Sequence, residues 1–406
     1  MMMMQTAARP LGIAPVRRLP RLQGRLRLSR RRLFTAILVL AAVLLGSTGL
    51  STLAHLRLPD PTGSFAVGKL DGVLVDRARR EGATTATDDF RHVRVVAWYP
   101  AVAGTGEPAA YLADLDSIAD GLIASGEVGT LEVAGLGMIV DPARAGADVA
   151  GESTRYPVVL LSPGNATNVE FYSSLAEDLA SHGYVVIGLD HPYQVAAVQI
   201  DEVVATYAGD PPPAQAERVI PARIDERVAD IGFVLDRLQR DAAGLTQLAD
   251  RLDLTHIGIL GHSNGGIAAA EACADARIDA CVNVDGQHAG GPFSSRQAPS
   301  APTKPFMFLT KETELHPALA ELFEGGGPDT VRVVIPAAAH DQFADPAMFR
   351  PRLLPFDGTA DDVVTVARGF SLAFFDRTLR DAPQERFGSV NAPTDVLVFV
   401  YPLAPR

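Results

Sequence analysis

Apolar residues recur along this chain in two textures, short unbroken runs and longer stretches with apolar positions every third or fourth residue. Pro157–Ser162 (P-V-V-L-L-S) and Tyr184–Asp190 (Y-V-V-I-G-L-D) are apolar without alternation. Thr255–Gly261, Ile278–Asp285, Pro305–Thr310 and Val331–Pro336 have the same character. Runs of that length, apolar on both faces, predict strands covered on both sides. Between them lie helical patterns over Phe171–Gly183, Asp225–Asp241, Ile267–Ala274 and Asp361–Arg380. In the last, Val364, Ala367, Phe370, Phe374 and Phe375 share one face. Alternation of strand and helix predicts parallel crossovers. Upstream, Phe65–Val75 and Val93–Tyr99 alternate apolar and polar residues, as half-buried strands do. The expected fold is therefore α/β: a doubly wound, mostly parallel sheet with helices on both faces, entered through antiparallel strands. Chemistry in such sheets sits beyond the carboxyl ends of the strands.

Two stretches interrupt this pattern. Residues 101–155 are rich in Gly and Ala, with one amphipathic helix near Tyr111–Ile123, where Leu112, Leu115, Ile118 and Leu122 are spaced for a single face. It reads as a helix lying on the core, or as a lid or interfacial surface beside an active site. Residues 192–222, with Pro211–Pro213, read as an irregular insertion.

The amino-terminal segment differs from the rest. Residues 1–32 are basic and predicted to be disordered and cytoplasmic, and 33–56 carries no charge. A helix over Leu33–Leu56 would be about 36 Å long against a bilayer core of about 30 Å. The expectation is a transmembrane signal anchor, single-pass with the body outside the cytoplasm, or a cleaved signal leaving a secreted protein. Residues 61–406 are then the catalytic domain.

Composition adds less. The chain has 406 residues, 47% hydrophobic and 21% charged, which permits a sizeable core. Residues 1–58 hold ten arginines and no acid or lysine, so with a net charge of −12 overall the remainder carries −22. So acidic a body is a poor partner for nucleic-acid phosphates. Cys273 and Cys281 have no zinc-ligand spacing around them. They read as two buried small hydrophobes or as a short disulfide of an exported protein.

Gly261-His262-Ser263-Asn264-Gly265 fits G-x-S-x-G, with a strand before it and a helix after it. A sharp strand-to-helix turn pushes the serine hydroxyl out of the sheet, and the glycines permit the tight turn and the close approach of neighbouring chain. Ser263 is the candidate nucleophile. Its base should follow the last core strand, where His340 lies in A-A-A-H-D-Q-F-A-D. Of the other histidines, His262 is expected to point away from the reacting atoms. His191 and His288 are rim candidates, and His55, His92, His182, His256 and His316 are surface or packing residues. The acid is left open between Asp285, which ends V-N-V-D-G, and Glu312 or Glu314 after the next strand. Asp190 lies on the wrong side of Ser263 for the order Ser…Asp…His. The amides of Asn264 and of Asn165, in S-P-G-N-A-T-N, are candidate oxyanion donors. Asp341 and Asp345 read as loop caps, and no metal or organic cofactor is expected.

Y-P-V-V-L-L-S-P-G-N, F-Y-S-S-L-A-E-D-L-A-S-H-G-Y-V-V-I-G-L-D-H, G-H-S-N-G-G, V-N-V-D-G and A-A-H-D-Q-F-A-D together resemble the plasma and type II intracellular platelet-activating factor acetylhydrolases. The likeness spans about residues 61–380. It implies an α/β-hydrolase fold, Asp285 as the acid, Asn165 and Asn264 as oxyanion donors, and calcium-independent cleavage of short or oxidised acyl chains from phospholipids in lipid catabolism. Pro163-Gly164 replaces the family's usual His-Gly, and Asn264 stands where Phe is common. The expected activity is therefore serine esterase, on short-acyl phospholipid or, alternatively, as a general carboxylesterase or polyester hydrolase. Acyl transfer to another alcohol and a non-catalytic envelope protein on the same fold are the remaining alternatives. The expected partners are an ester substrate and, through the amino-terminal helix, a membrane.

Overall fold

Strands run unbroken wherever the sequence is apolar without alternation. A computed structural model describes residues 56–126, 128–286, 303–311, 325–327, 329–336, 338–353, 360–383, 390 and 396–401. The chain enters through β1 (Ala66–Arg80) and β2 (Phe90–Ala101), an antiparallel pair in register from Ala66↔Ala101. The stretch 101–155 then forms β3 (Glu107–Ala110), α1 (Leu115–Ser125), α2 (Thr130–Leu136) and β4 (Val140–Ala145). The central body follows as β5 (Tyr156–Ser162), α3 (Ser173–Ser181) and β6 (Val185–Asp190). A hairpin of β7 (Ala197–Ile200) and β8 (Val203–Thr206) leads to α4 (Pro213–Asp241), β9 (Leu252–His262), α5 (Asn264–Ala272) and β10 (Ala280–Val284). The chain ends with β11 (Phe306–Thr310), β12 (Thr330–Val334), α6 (Pro346–Leu353), α7 (Ala360–Leu379) and β13 (Leu397–Tyr401).

Among the described residues the main sheet has the order β13-β12-β11-β10-β9-β5-β6-β2-β1-β4-β3. Every residue of β5, β6, β10, β11 and β12 is buried. Alternate side chains enter two cores. Val159 and Leu161 of β5 join α3 and α7 through Leu175, Leu179, Phe370 and Phe374. Val158 and Leu160 meet α4 and α5 on the other face, through Ile231, Val234, Leu235 and Ala268.

Three parts of the expected fold are corrected. The sheet is mixed rather than mostly parallel. Antiparallel pairs β1/β2, β2/β6, β3/β4 and β12/β13 flank the parallel run from β6 to β12. The alternating segments Phe65–Val75 and Val93–Tyr99 announced one such flank, but the short strands β3, β4 and β13 were not read. The insertion at 192–222 is not irregular either: it holds the β7–β8 hairpin and the first turns of α4. Proline at the first helical position starts α4 well before Asp225, since its fixed φ suits a helix start and its missing N–H costs nothing there.

The third correction concerns the amino-terminal helix. Among the described residues no helix is long and apolar enough to cross a membrane. Of the segment 33–56, all but the last residue lies outside the described residues, and that last residue is not helical. The Leu56 carbonyl accepts from Val140 N at 2.9 Å, and Leu58 N donates to Val140 O at 3.1 Å. Leu56 and Leu58 are both buried in the core beside α2 and β4. The expected transmembrane or signal helix is therefore unsupported. So are the membrane partner, the single-pass topology and the secreted alternative that rested on it.

Cys273, which caps α5, and Cys281 in β10 are joined in a disulfide with Cα atoms 6.1 Å apart. The reading of two separate apolar cysteines gives way to a clip between this helix and the next strand.

Candidate active site

Ser263 stands alone between β9 and α5, with φ 55° and ψ −123°. This is a left-handed, sparsely populated conformation for a residue with a Cβ, and such strain persists only where the surroundings impose it. Here they do. Ser263 N donates to Val284 O at 2.9 Å, and the Ser263 carbonyl accepts from Ile267 N at 3.0 Å. Both flanking glycines are required by close approach: a Cβ on Gly261 would lie 2.1 Å from Gly265 O, and one on Gly265 would lie 2.1 Å from Ser162 O.

His340 opens a single turn of 3₁₀ helix after β12. The Ser263 hydroxyl lies 2.9 Å from its Nε2, placed to donate to that nitrogen. On the other side of the ring Nδ1 donates to Asp285 Oδ2 at 2.6 Å. Asp285, just past β10, is 3% exposed, and its second oxygen accepts from Thr310 Oγ1 at 3.0 Å and Lys311 N at 3.3 Å. Burial works against ionising this carboxyl. The hydrogen bond and charge of His340 outweigh it and hold Asp285 below the ordinary carboxylate range. Position in the sequence left the acid open and the family resemblance implied Asp285; the structure brings Asp285 to the imidazole. Glu312, Glu314, His288, His55 and His316 lie outside the described residues. Asp190 is buried against Arg94, 2.9 Å away, and does not join the group.

Asn165 follows β5 and lines one cleft with Ser263 and His340. Asn264 is the first residue of α5, where a helix leaves its amides without intrahelical acceptors. The backbone N–H of neither has a partner among the described residues. The Asn165 side chain turns away, donating to the Tyr207 hydroxyl and, at 3.3 Å, to Asp210.

His262 corrects its reading. It does not point away from the reacting atoms but lines the cleft, its ring centroid 4.7 Å from that of His340. Its Nε2 donates to the His340 carbonyl at 3.0 Å, and its Nδ1 therefore accepts from the Tyr172 hydroxyl at 2.7 Å. Burial, then the neighbouring His340, pushes His262 down to about 3, so the ring stays neutral and the direction of these bonds is fixed.

His191 is also not at the rim. It is fully buried in a second set of the same residue types. Ser162 Oγ lies 3.0 Å from His191 Nε2, and His191 Nδ1 lies 2.8 Å from Asp230 Oδ2. All three residues have no solvent exposure. Asp230 is shared with Arg91 at 2.7 Å and Arg79 at 2.8 Å, and burial pushes His191 down to about 4. This set has the atom order of a catalytic triad, but no carbonyl can reach its hydroxyl. The Ser263 set opens to the cleft.

The cleft encloses about 540 Å³ including its mouth. Val128, Phe171, Ala344, Pro346 and Ala347 make it largely apolar, and no Lys or Arg is among the described residues that line it. Asp345, read as a loop cap, does cap: it accepts from Ser174 N at 3.1 Å in the first turn of α3. No group of three or more metal-ligating side chains comes together among the described residues.

With this geometry in view, three comparisons place the chain. Residues 51–218 match the family model of platelet-activating factor acetylhydrolase, isoform II. That span holds the Asn165 loop but ends before Ser263. The solved structure of a ferulic acid esterase from Streptomyces cinnamoneus superposes with a TM-score of 0.67 at 27% identity, covering 84% of this chain and 99% of that one. The chain is an α/β-hydrolase. It is related to the platelet-activating factor acetylhydrolase-like esterases and carries a serine-hydrolase arrangement of Ser, His and Asp. A probable 1-alkyl-2-acetylglycerophosphocholine esterase from Arthroderma benhamiae is 34% identical over 140 residues, which is 34% of this chain and 33% of that protein. The alpha/beta hydrolase psoB from Aspergillus fumigatus is 33% identical over 158 residues, 38% of this chain and 30% of that protein. The chain thus spans about a third of the length of the curated relatives it matches.

Proposed function

We propose that this α/β-hydrolase is a serine carboxylesterase for neutral esters with small to medium acyl groups. The observation that carries the reading is the continuous line from Ser263 Oγ to His340 Nε2 at 2.9 Å and from His340 Nδ1 to Asp285 at 2.6 Å, opening into an apolar cleft. In this reading Ser263 Oγ attacks the ester carbonyl carbon as its proton passes to His340 Nε2. Asp285 keeps the Nδ1 proton in place and stabilises the imidazolium. The oxyanion forms against the amides of Asn165 and Asn264. Collapse breaks the ester C–O bond, and the alcohol leaves with the proton from His340. Water, deprotonated by the same imidazole, then releases the acid and restores Ser263.

The cleft favours a neutral ester over a phospholipid. Among its described lining residues no cation faces it that would meet a phosphate, whereas Phe171 and Val128 offer apolar surface to an acyl group. Likeness to a ferulic acid esterase over most of both chains supports the same reading. Initial rates on p-nitrophenyl acetate, butyrate and octanoate, methyl ferulate and an acetylated alkyl glycerophosphocholine test it. The expected result is a kcat/KM for the best neutral ester at least about tenfold above that for the phospholipid, the factor that about 1.4 kcal/mol of transition-state stabilisation gives. Preference for the phospholipid would overturn the substrate class, and no turnover of any ester would overturn the activity.

A further inference from the structure

The loop after β5 is held on both sides of Asn165 by hydrogen bonds to its backbone. Gly164 N donates to the Tyr172 hydroxyl at 3.1 Å, and Ala166 N to Gln194 O at 2.8 Å. The Asn165 carbonyl accepts from Thr167 Oγ1 at 3.0 Å. The carbonyls of Pro163 and Gly164 both accept from one side chain, Arg227 of α4, at 2.6 and 3.3 Å. Arg227 has no solvent exposure, and its Nε donates to Gln194 Oε1 at 2.8 Å. The N–H of Asn165, a residue that lines the cleft, has no acceptor among the described residues.

A trans peptide is planar, with its C=O and the following N–H opposed. A donor that fixes the Gly164 carbonyl therefore fixes the Asn165 N–H in the opposite direction. Gly164 and Asn165 both line the cleft of Ser263 and His340, so the side facing away from Arg227 is the side on which a substrate oxygen would sit. A guanidinium suits this task, because its rigid planar fork fixes the direction of both hydrogen bonds, whereas an ammonium is a compact point donor on a flexible stem. A cation behind the carbonyl also polarises the peptide, which strengthens the N–H as a donor.

We infer that Arg227 is a positioning residue that sets the Asn165 amide as an oxyanion donor. It touches no reacting atom and acts through the Pro163–Gly164–Asn165 backbone. This rests on the esterase reading above. Burial pulls the Arg227 guanidinium down to about 10, and Asp230, one turn along α4 and held by Arg91, Arg79 and His191, offsets part of that cost with its negative charge.

The test compares wild type, Arg227→Lys and Arg227→Gln on p-nitrophenyl butyrate, with active sites counted by exhaustive fluorophosphonate labelling so that only folded enzyme is scored, and Ser263→Ala, which cannot be labelled, at matched concentration of protein shown to be folded by circular dichroism. An alkyl trifluoromethyl ketone reports oxyanion binding in parallel. Loss of one oxyanion donor costs about 10²–10³ in kcat. Arg227→Gln is expected to lower kcat about 100-fold with KM within about threefold, and to weaken the ketone by the same factor. Arg227→Lys should recover part of both, remaining about tenfold below wild type. If Arg227→Gln does not fold, the Lys variant alone decides. Wild-type kcat and ketone affinity in the folded variants, with Ser263→Ala inactive, would overturn the clamp and leave the esterase reading intact. Full turnover in Ser263→Ala would overturn both.

Discussion

Replacement of Ser263 by Ala is expected to lower kcat on p-nitrophenyl butyrate by about 10⁵–10⁶ while the protein melts within a few degrees of wild type. Among the described residues the hydroxyl has one hydrogen-bond partner, His340, which is itself 47% exposed and can turn to water. Ala carries the same Cβ, so the strained φ of 55° is neither relieved nor worsened. The buried second serine should behave in the opposite way. Ser162→Ala strands His191 Nε2 without its partner in a fully buried site, at a cost of about 1–3 kcal/mol of stability, with turnover by the folded protein retained. Urea melts and rates on the same samples separate the two. More than about 1% of wild-type turnover in Ser263→Ala would exceed the residual rate that binding and oxyanion contacts support without the nucleophile.

Asp285→Asn is expected to cost about 10⁴ in kcat with little change in KM. A carboxylate at 2.6 Å from Nδ1 keeps the proton on that nitrogen and leaves Nε2 as the acceptor for the Ser263 hydroxyl. A carboxamide that turns its NH₂ toward Nδ1 reverses the tautomer, and two hydrogens then face each other at Ser263. The substitution also has a pH signature in stability. Because His340 holds Asp285 below the ordinary carboxylate value, its ionised form stabilises the native state above the unfolded value of about 3.9. That contribution is lost as pH falls through the lower native value. The stability gap between wild type and Asp285→Asn should therefore be full at neutral pH and close below about pH 4, which chemical denaturation at pH 7 and pH 3 measures. A gap that widens toward low pH would contradict it.

What the sequence could disclose depended on whether one segment's pattern carried the information. Val158–Leu161 and Val185–Ile187 could only be strands covered on both faces, and the glycines around Ser263 marked a tight turn before contacts were known. His340 followed from its place after the last core strand. Asp285 could not be told from Glu312 or Glu314 by position alone. Contact of its Oδ2 with His340 distinguishes it, and that contact joins residues 55 apart in the chain. Buried polar partners were least legible. Arg227 and Asp230 simply fall within the helical stretch Asp225–Asp241, Tyr172 within Phe171–Gly183, and His191 reads as a rim residue at a strand end, because nothing local shows that α4 packs behind the β5 loop. The edge strand β13 lay past the last long helix, in a stretch not read for strands. The apolar run at 33–56 suggested a bilayer helix by composition, yet Leu56 and Leu58 are spent on the core of the enzyme's own domain.

Among the described residues two serines hold a histidine within hydrogen-bond reach, each backed by an aspartate, and only one faces the cleft. Treating the full chain with an alkyl fluorophosphonate, digesting it and locating the adduct by mass spectrometry distinguishes them. One phosphonylated residue, Ser263, absent after Ser263→Ala, is the predicted result. An adduct on Ser162, or an unmodified chain under conditions that label a control esterase, would contradict it.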